Sequence, residues 1–389
     1  MKAKSIHGTS VNDIQKTLDR TISDGFKPTL AIIFISIKQD RKAICQWLAA
    51  KDIDVFGATS SGEFINGIQT TGEIAILLLE LPKTHYTILF EAIGERTLET
   101  ATATLAHTAL KQFTNPSLIV CSTGINQKQE FFKGEEMVNY LKEQLGPDKL
   151  FFGGMAGDDW TLKGSFVFTN SKETDDGLVA LVLDGDKINL KGMAVTGWKP
   201  LGIKRTVTKS KGNLLYEIDG KPALELYLKY LGKEDKMTEN NYNIFEEVSM
   251  EYPFIVERDA NETVLKTPMR IDVKEKALVM DIPMSEGLNF WFTNPPEFDI
   301  VEEVIDKANQ LKQDTGEQAD ALLVFSCAGR QPILGPLATE ENEGLARVWN
   351  SPMAGFFTYG EFGRVLNGKQ NFHSGACCWV TLKEKETNN

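Results

Sequence analysis

The amino-acid sequence predicts an α/β fold of mixed α+β type, with two pseudo-repeated halves whose mixed sheets are flanked by helices. Three observations lead there. Strand-sized apolar runs alternate with amphipathic helical segments. The order helix, strand, helix, strand, glycine turn, strand occurs three times along the chain. The turn itself also recurs with an acid directly behind it. "VFGATSSGEF" sets Gly57 and Gly62 before Glu63, and "MAGFFTYGEFG" sets Gly355 and Gly360 before Glu361 at the same spacing. In "LFFGGMAGDDW", Gly153 and Gly157 stand one residue closer together and Asp158 takes the glutamate's place. Self-similarity of this kind points to internal duplication.

In the first unit Val11, Ile14, Leu18 and Ile22 have the spacing of an amphipathic helix, and Ser10 is placed to cap it. "PTLAIIFISI" follows as a buried strand, "RKAICQWLAA" as a second helix, "IDVFGA" as the strand entering the turn and "GEIAILLLEL" as the strand returning from it. The second unit starts at Leu98: "LETATATLAHTALKQF", "PSLIVCSTG", "GEEMVNYLKEQL" and "KLFFGG" repeat the order, and "GSFVFTN" and "GLVALVL" follow Asp158. The third starts at Asp299, with "DIVEEVIDKANQLKQ", "DALLVFSCAGR", "ENEGLARVWN", the second Gly-Glu turn and "SGACCWVTL". Between the units "INLKGMAV", "ALVMDI" and "LNFWFT" read as strands that extend sheets in antiparallel fashion. A helix opens after Pro222, with proline at its first turn. The expected division is into residues 1–205 and 206–389, and "LGKEDKMTENNYNIFEE" reads as a polar surface loop.

A chain of 389 residues exceeds what one hydrophobic core usually serves, and 42% hydrophobic with 25% charged residues is ordinary globular composition. The formal charge of −12 disfavours nucleic acid and anionic membrane surfaces as partners. "MKAKSIHGTS" has no apolar stretch behind its lysines, and the longest apolar runs fall short of a membrane span, so a cytoplasmic location is expected. Cys45, Cys121, Cys327, Cys377 and Cys378 are odd in number and two are adjacent, which fits free thiols in a reducing compartment.

Glycine turns at the carboxyl ends of strands are where α/β sheets bind ligands. Glu63, Asp158 and Glu361 would face a common cleft, with Ser60, Ser61, Gly62 and Gly360 supplying hydroxyls and close backbone approach, and Tyr359 an amphipathic ring. The bland alternative is a turn whose acid caps neighbouring N–H groups. "FSCAGRQPILG" adds Ser326, Cys327 and Arg330 at another strand end. Arg330 could hold a carboxylate or phosphate bidentately, or pair with Glu361. Cys327 as a nucleophile needs a base in reach, and the sequence shows none. "GATSSGE" has glutamate where a P-loop needs lysine, no zinc-type spacing is visible, and "CC" in a strand points its thiols to opposite faces. No metal, cofactor or catalytic constellation is expected. Phe290 and Phe292 read as core, and Trp291 as facing the other way.

Taken together, "DVFGATSSGEF", "DGLVALVLDGD", "GMAVTGWKPLG", "ALLVFSCAGRQPILG", "AGFFTYGEFG" and "NFHSGACC" resemble the FIST domain family, over nearly the whole chain. The resemblance implies a FIST N-like part followed by a FIST C-like part. It also implies a sensory module that binds a small ligand, with amino acids or related metabolites as the expected class. Gly62 with Glu63, Gly360 with Glu361, and Ser326, Cys327 and Arg330 are the positions that carry over. Family members are often fused to signalling domains, for which this length leaves no room, so output through a separate signalling protein is expected. The competing expectations are an enzyme using Cys327 or a carboxylate, and a protein-interaction adaptor.

Overall fold

Leu30, Ile32 and Phe34 alternate with Ala31, Ile33 and Ile35 along the strand Leu30–Ser36, and all six are buried. A strand apolar on both faces must be covered on both. The first set enters a core that it shares with Ile119, Cys121 and Phe152 of a second sheet and Leu323, Phe325 and Phe356 of a third. The second set packs beneath the helices Val11–Thr21 and Arg41–Ala49. Ser10 and Asp40 cap these helices, accepting from the amides of Asp13 and Ala43. Helices Leu98–Gln112 and Gly134–Leu145 cover the outer face of the second sheet in the same way. The protein is thus a mixed α/β structure of several mixed sheets flanked by helices.

This is a computed structural model, and it describes residues 1–239, 242–258, 262–297, 299–366 and 368–386. Two compact units interleave along the chain. Met1–Val195, Val301–Phe372 and Ala376–Asn389 form the larger; Thr196–Ile300 and His373–Gly375 form the smaller.

The larger unit contains the three repeats, and each builds one six-stranded sheet. At the centre of each lies a parallel pair joined through a helical crossover: Leu30–Ser36 with Asp54–Ser60, Pro116–Ser122 with Phe151–Met155, and Ala321–Cys327 with Met353–Thr358. The strand that returns from the turn region pairs antiparallel on the other side. After its glycine turn each repeat leaves its own sheet, the second by way of the loop that follows Asp158. Glu63–Ile65 pairs with Met353–Thr358 of the third repeat, Glu361–Arg364 with Phe151–Met155 of the second, and Val167–Phe168 with Asp54–Ser60 of the first. The exchange closes a ring of three, so every sheet is completed by a neighbour's hairpin.

The smaller unit is antiparallel. The strand Pro200–Lys211 pairs with Asn289–Thr293 in one part and with Leu214–Ile218 in the other. The helix Ala223–Tyr230 starts at Pro222, as expected. Phe290 and Phe292 enter this unit's core, while Trp291 lies under the Lys204 ammonium.

Two features depart from the expectations. The stretch read as a polar loop contains a short 3₁₀ turn at Glu234–Thr238 and a π-helical turn at Phe245–Ser249. Tyr242 and Ile244 anchor it by entering the core, a tertiary pull that local polarity conceals. Asn240 and Asn241 of that stretch lie outside the described residues. The exchange of strands between repeats and the edge strand Lys2–Gly8 were also unforeseen: Val167–Phe168 falls within "GSFVFTN", but Glu63–Ile65 and Glu361–Arg364 are short and Lys2–Gly8 is half-exposed without a strong apolar run. Among the described residues no helix is long and apolar enough to cross a membrane.

Candidate functional site

The exchange of strands brings the three glycine turns together. Gly157 N–H donates to the Thr59 carbonyl, and Thr59 Oγ1 donates to the Gly157 carbonyl at 2.6 Å. Ser61 N–H reaches the Phe357 carbonyl and Phe357 N–H the Gly62 carbonyl. Tyr359 N–H reaches the Met155 carbonyl, and Met155 N–H that of Gly360. Each turn is therefore bonded to the other two. Close approach explains several of the glycines: a Cβ on Gly157 would stand 2.4 Å from Ser61 Oγ, and one on Gly360 would stand 2.5 Å from the Phe372 ring. Gly62 is needed for another reason, since its φ is +122°.

Glu63 and Glu361 are fully buried and arranged alike. Glu63 accepts from the Ser60 hydroxyl three residues before it, from Thr70 Oγ1 at 3.3 Å and from the Glu73 amide at 3.1 Å. Glu361 accepts from Thr358 Oγ1 at 2.6 Å and from the Ala376 amide at 3.0 Å. Glu73 and Ala376 immediately precede the returning strands, so each glutamate closes the loop formed by its own exchanged hairpin. Burial pushes the Glu63 carboxyl up to about 7 and the Glu361 carboxyl up to about 8. Their hydroxyl and amide donors oppose the shift only in part.

Asp158 has a different surrounding. Its Oδ2 accepts from Thr161 Oγ1 and the Lys163 amide, both at 2.7 Å, and from the Gly164 amide at 3.1 Å. Its Oδ1 accepts from the Leu162 amide at 3.1 Å and from Tyr359 OH at 2.5 Å. The carboxylate thereby organises a loop in which Asp159, Trp160 and Leu162 all have left-handed φ values near +50 to +60°. Trp160 and Leu162 are exposed at its tip, and the Trp160 amide donates to Tyr359 OH. Burial followed by the Asp158 hydrogen bond raises the Tyr359 phenol pKa, so the hydroxyl stays protonated as donor.

Ser326, Cys327 and Arg330 make a second network. Arg330 is fully buried and its ion-pair partner is Glu341, whose other oxygen accepts from Ser326 Oγ at 3.1 Å. Burial, the largest influence, opposes the guanidinium charge, but Glu341 together with the neighbouring Cys377 and Cys327 holds the Arg330 pKa above its usual value. Arg330 also lowers Glu361 electrostatically, and the Cys327 thiol donates a hydrogen bond to Glu361. Cys377 lies beside Arg330 and Glu341, whereas Cys378 points into the shared core, so the adjacent thiols do face opposite ways. Burial raises both thiol pKa values, which makes them inert as thiolates. All five cysteines are free.

Ser60, Ser61, Gly62, Glu63, Asp158, Tyr359, Gly360 and Glu361 thus converge in the three turns, and Ser326, Cys327 and Arg330 adjoin them through Glu361. Two cavities of about 520 and 430 Å³ lie elsewhere in the larger unit, beside Lys4 and Asn350 and beside Thr123 and Asp176; neither is lined by these residues. Among the described residues no group of three or more His, Cys, Asp or Glu is placed to hold a metal ion. Sequence reasoning missed Glu341 and Asp159. Glu341 had a visible signal, a carboxylate on the apolar face set by Ala338, Leu345 and Val348. Asp159 was hidden behind its neighbour in "GDDW".

The fold and the triple turn define a duplicated α/β domain. The chain belongs to the FIST family: the FIST N domain matches residues 29–221 and the FIST C domain residues 223–364. FIST domains are associated with sensory function in signal transduction. The matched segments both contribute to the triple turn, since Tyr359 and Glu361 fall in the second and Glu63 and Asp158 in the first. A stretch of 85 residues is 34% identical to "Uncharacterized protein MJ1623" of Methanocaldococcus jannaschii, covering 22% of this chain and 16% of that protein's length.

Proposed function

We propose that the protein is a cytosolic sensory module that binds a small polar metabolite, an amino acid or a close relative, at the convergence of its three glycine turns. The observation that carries this reading is the mutual hydrogen bonding of turns from all three repeats around the Asp158–Tyr359 contact. A ligand that displaces one of these bonds acts on all three repeats at once, which is what a sensor needs in order to convert occupancy into a change of structure. The exposed Trp160 beside this contact offers an apolar surface at the rim, and the Glu63 and Glu361 carboxyls offer polar groups whose charge responds to what binds. Output would pass to a separate signalling protein.

The test is a thermal-unfolding screen of the purified protein against amino acids and common metabolites, repeated with Trp160→Ala and Tyr359→Phe. A ligand at a hundred times its dissociation constant adds about 2.7 kcal/mol, a rise of several degrees. A rise that both variants lose supports the reading. A flat response across the panel removes it and favours an adaptor role.

A further inference from the structure

Buried acceptors that lack donors are costly, and a group of them from separate loops marks a place where a donor is to be supplied. Such a group lies at the end of the strand Leu30–Ser36. Asp159 has a side chain only 4% exposed. Its Oδ2 accepts from Ser36 Oγ at 2.7 Å, while its Oδ1 is buried without a partner. Glu73 Oε2 is likewise buried without a donor. The residues are tied together: Ser36 N–H donates to the Glu73 carbonyl, and Glu73 N–H donates to Glu63 Oε2. Three loops therefore bring Asp159, Glu73 and Glu63 to one locality, and the atoms left over are all acceptors.

We propose that Asp159, with Glu73 and Glu63 beside it, forms the subsite for the ammonium group of the ligand. This rests on the sensory reading above and names the end of the ligand that enters first. An ammonium carries three N–H donors and no acceptor, the complement of the orphan oxygens. Lys38 reaches Asp159 Oδ2 at 3.5 Å from a two-thirds exposed position, so it acts as a weak internal competitor. The charge of Asp159 adds to burial in raising Glu63, and an arriving cation relieves that repulsion.

The test is calorimetric titration with n-propylammonium and L-alaninamide, which have the ammonium and lack a carboxylate. Propionate and tetramethylammonium, which cannot donate, are the controls. Asp159→Asn removes the charge while keeping a residue that tolerates the left-handed φ of +53°, so the loop is preserved. The two amines should bind and the controls should not. Asp159→Asn should weaken the amines at least about tenfold, the scale of a lost charged hydrogen bond. Lys38→Met should tighten them several-fold. Amine affinity unchanged in Asp159→Asn, or unchanged in Lys38→Met, overturns the subsite. If amino acids stabilise the protein but neither amine binds, the subsite falls and the sensory reading stands. If nothing in either experiment binds, both fall.

Discussion

Tyr359 donates its hydroxyl to Asp158 Oδ1 at 2.5 Å, joining residues 201 apart in the sequence. The same hydroxyl accepts the Trp160 amide, so one phenol ties the third repeat's turn to the loop of the second. Tyr359→Phe removes that tie and leaves Asp158 with four donors from its own loop. A loss of about 1 to 3 kcal/mol is expected, with faster amide exchange confined to residues 158–164. Asp158→Ala, which strands those donors, should cost more. Equal losses in the two variants would contradict the central place given to Asp158.

Glu63 and Glu361 set a pH dependence opposite to that of most carboxylates. Their folded values, about 7 and about 8, lie above the ordinary glutamate value of 4.5. The folded state therefore binds more protons than the unfolded chain, and stability falls as the pH rises from about 4.5 through about 8. Asp24, Glu80 and Glu257, held low by Lys4, the Lys27 amide and Lys204, turn the slope the other way only in acid. Urea unfolding should give a higher midpoint at pH 5.5 than at pH 8.5. Glu361→Gln, which can keep partners in Thr358 and Ala376, should flatten the difference, and a midpoint that rises with pH would refute the assignment.

Breaking the Arg330–Glu341 pair leaves a buried charge behind. Arg330→Ala should cost about 3 to 5 kcal/mol, whereas Arg330→Met combined with Glu341→Gln should recover most of it. Chemical denaturation of both single variants and the double would measure the coupling. A double variant as unstable as the sum of the singles would show that the two residues act independently.

Two glycines separate space from backbone conformation. At Gly153 an added Cβ would stand 1.8 Å from the Val120 carbonyl oxygen, with φ at +152°. At Gly62 the nearest atom is a Phe357 ring carbon at 3.0 Å, and φ is +122°. Gly62→Ala should lower stability by about 1 to 3 kcal/mol, and Gly153→Ala should prevent the parallel pair with Pro116–Ser122 from forming at all. Soluble yield and urea midpoints distinguish the two, and a well-folded Gly153→Ala would be the surprising result.

The sequence by itself determined the repeats. Alternation and helical spacing are local properties, so Val11–Thr21, Leu30–Ser36, Arg41–Ala49, Asp54–Ser60 and their counterparts were legible, as was the acid behind each glycine turn. The opposite facing of Cys377 and Cys378 and the burial of Phe290 and Phe292 followed from strand geometry in the same way. Tertiary structure decided the partners. Glu63–Ile65, Val167–Phe168 and Glu361–Arg364 are too short to announce a sheet, and the pairing of each with another repeat is a long-range choice made by the shared core. The partner of Arg330 was decided there too: a helix packed over the third sheet set Glu341, eleven residues along, against the guanidinium, because a charge buried that deeply needs the carboxylate that can reach it.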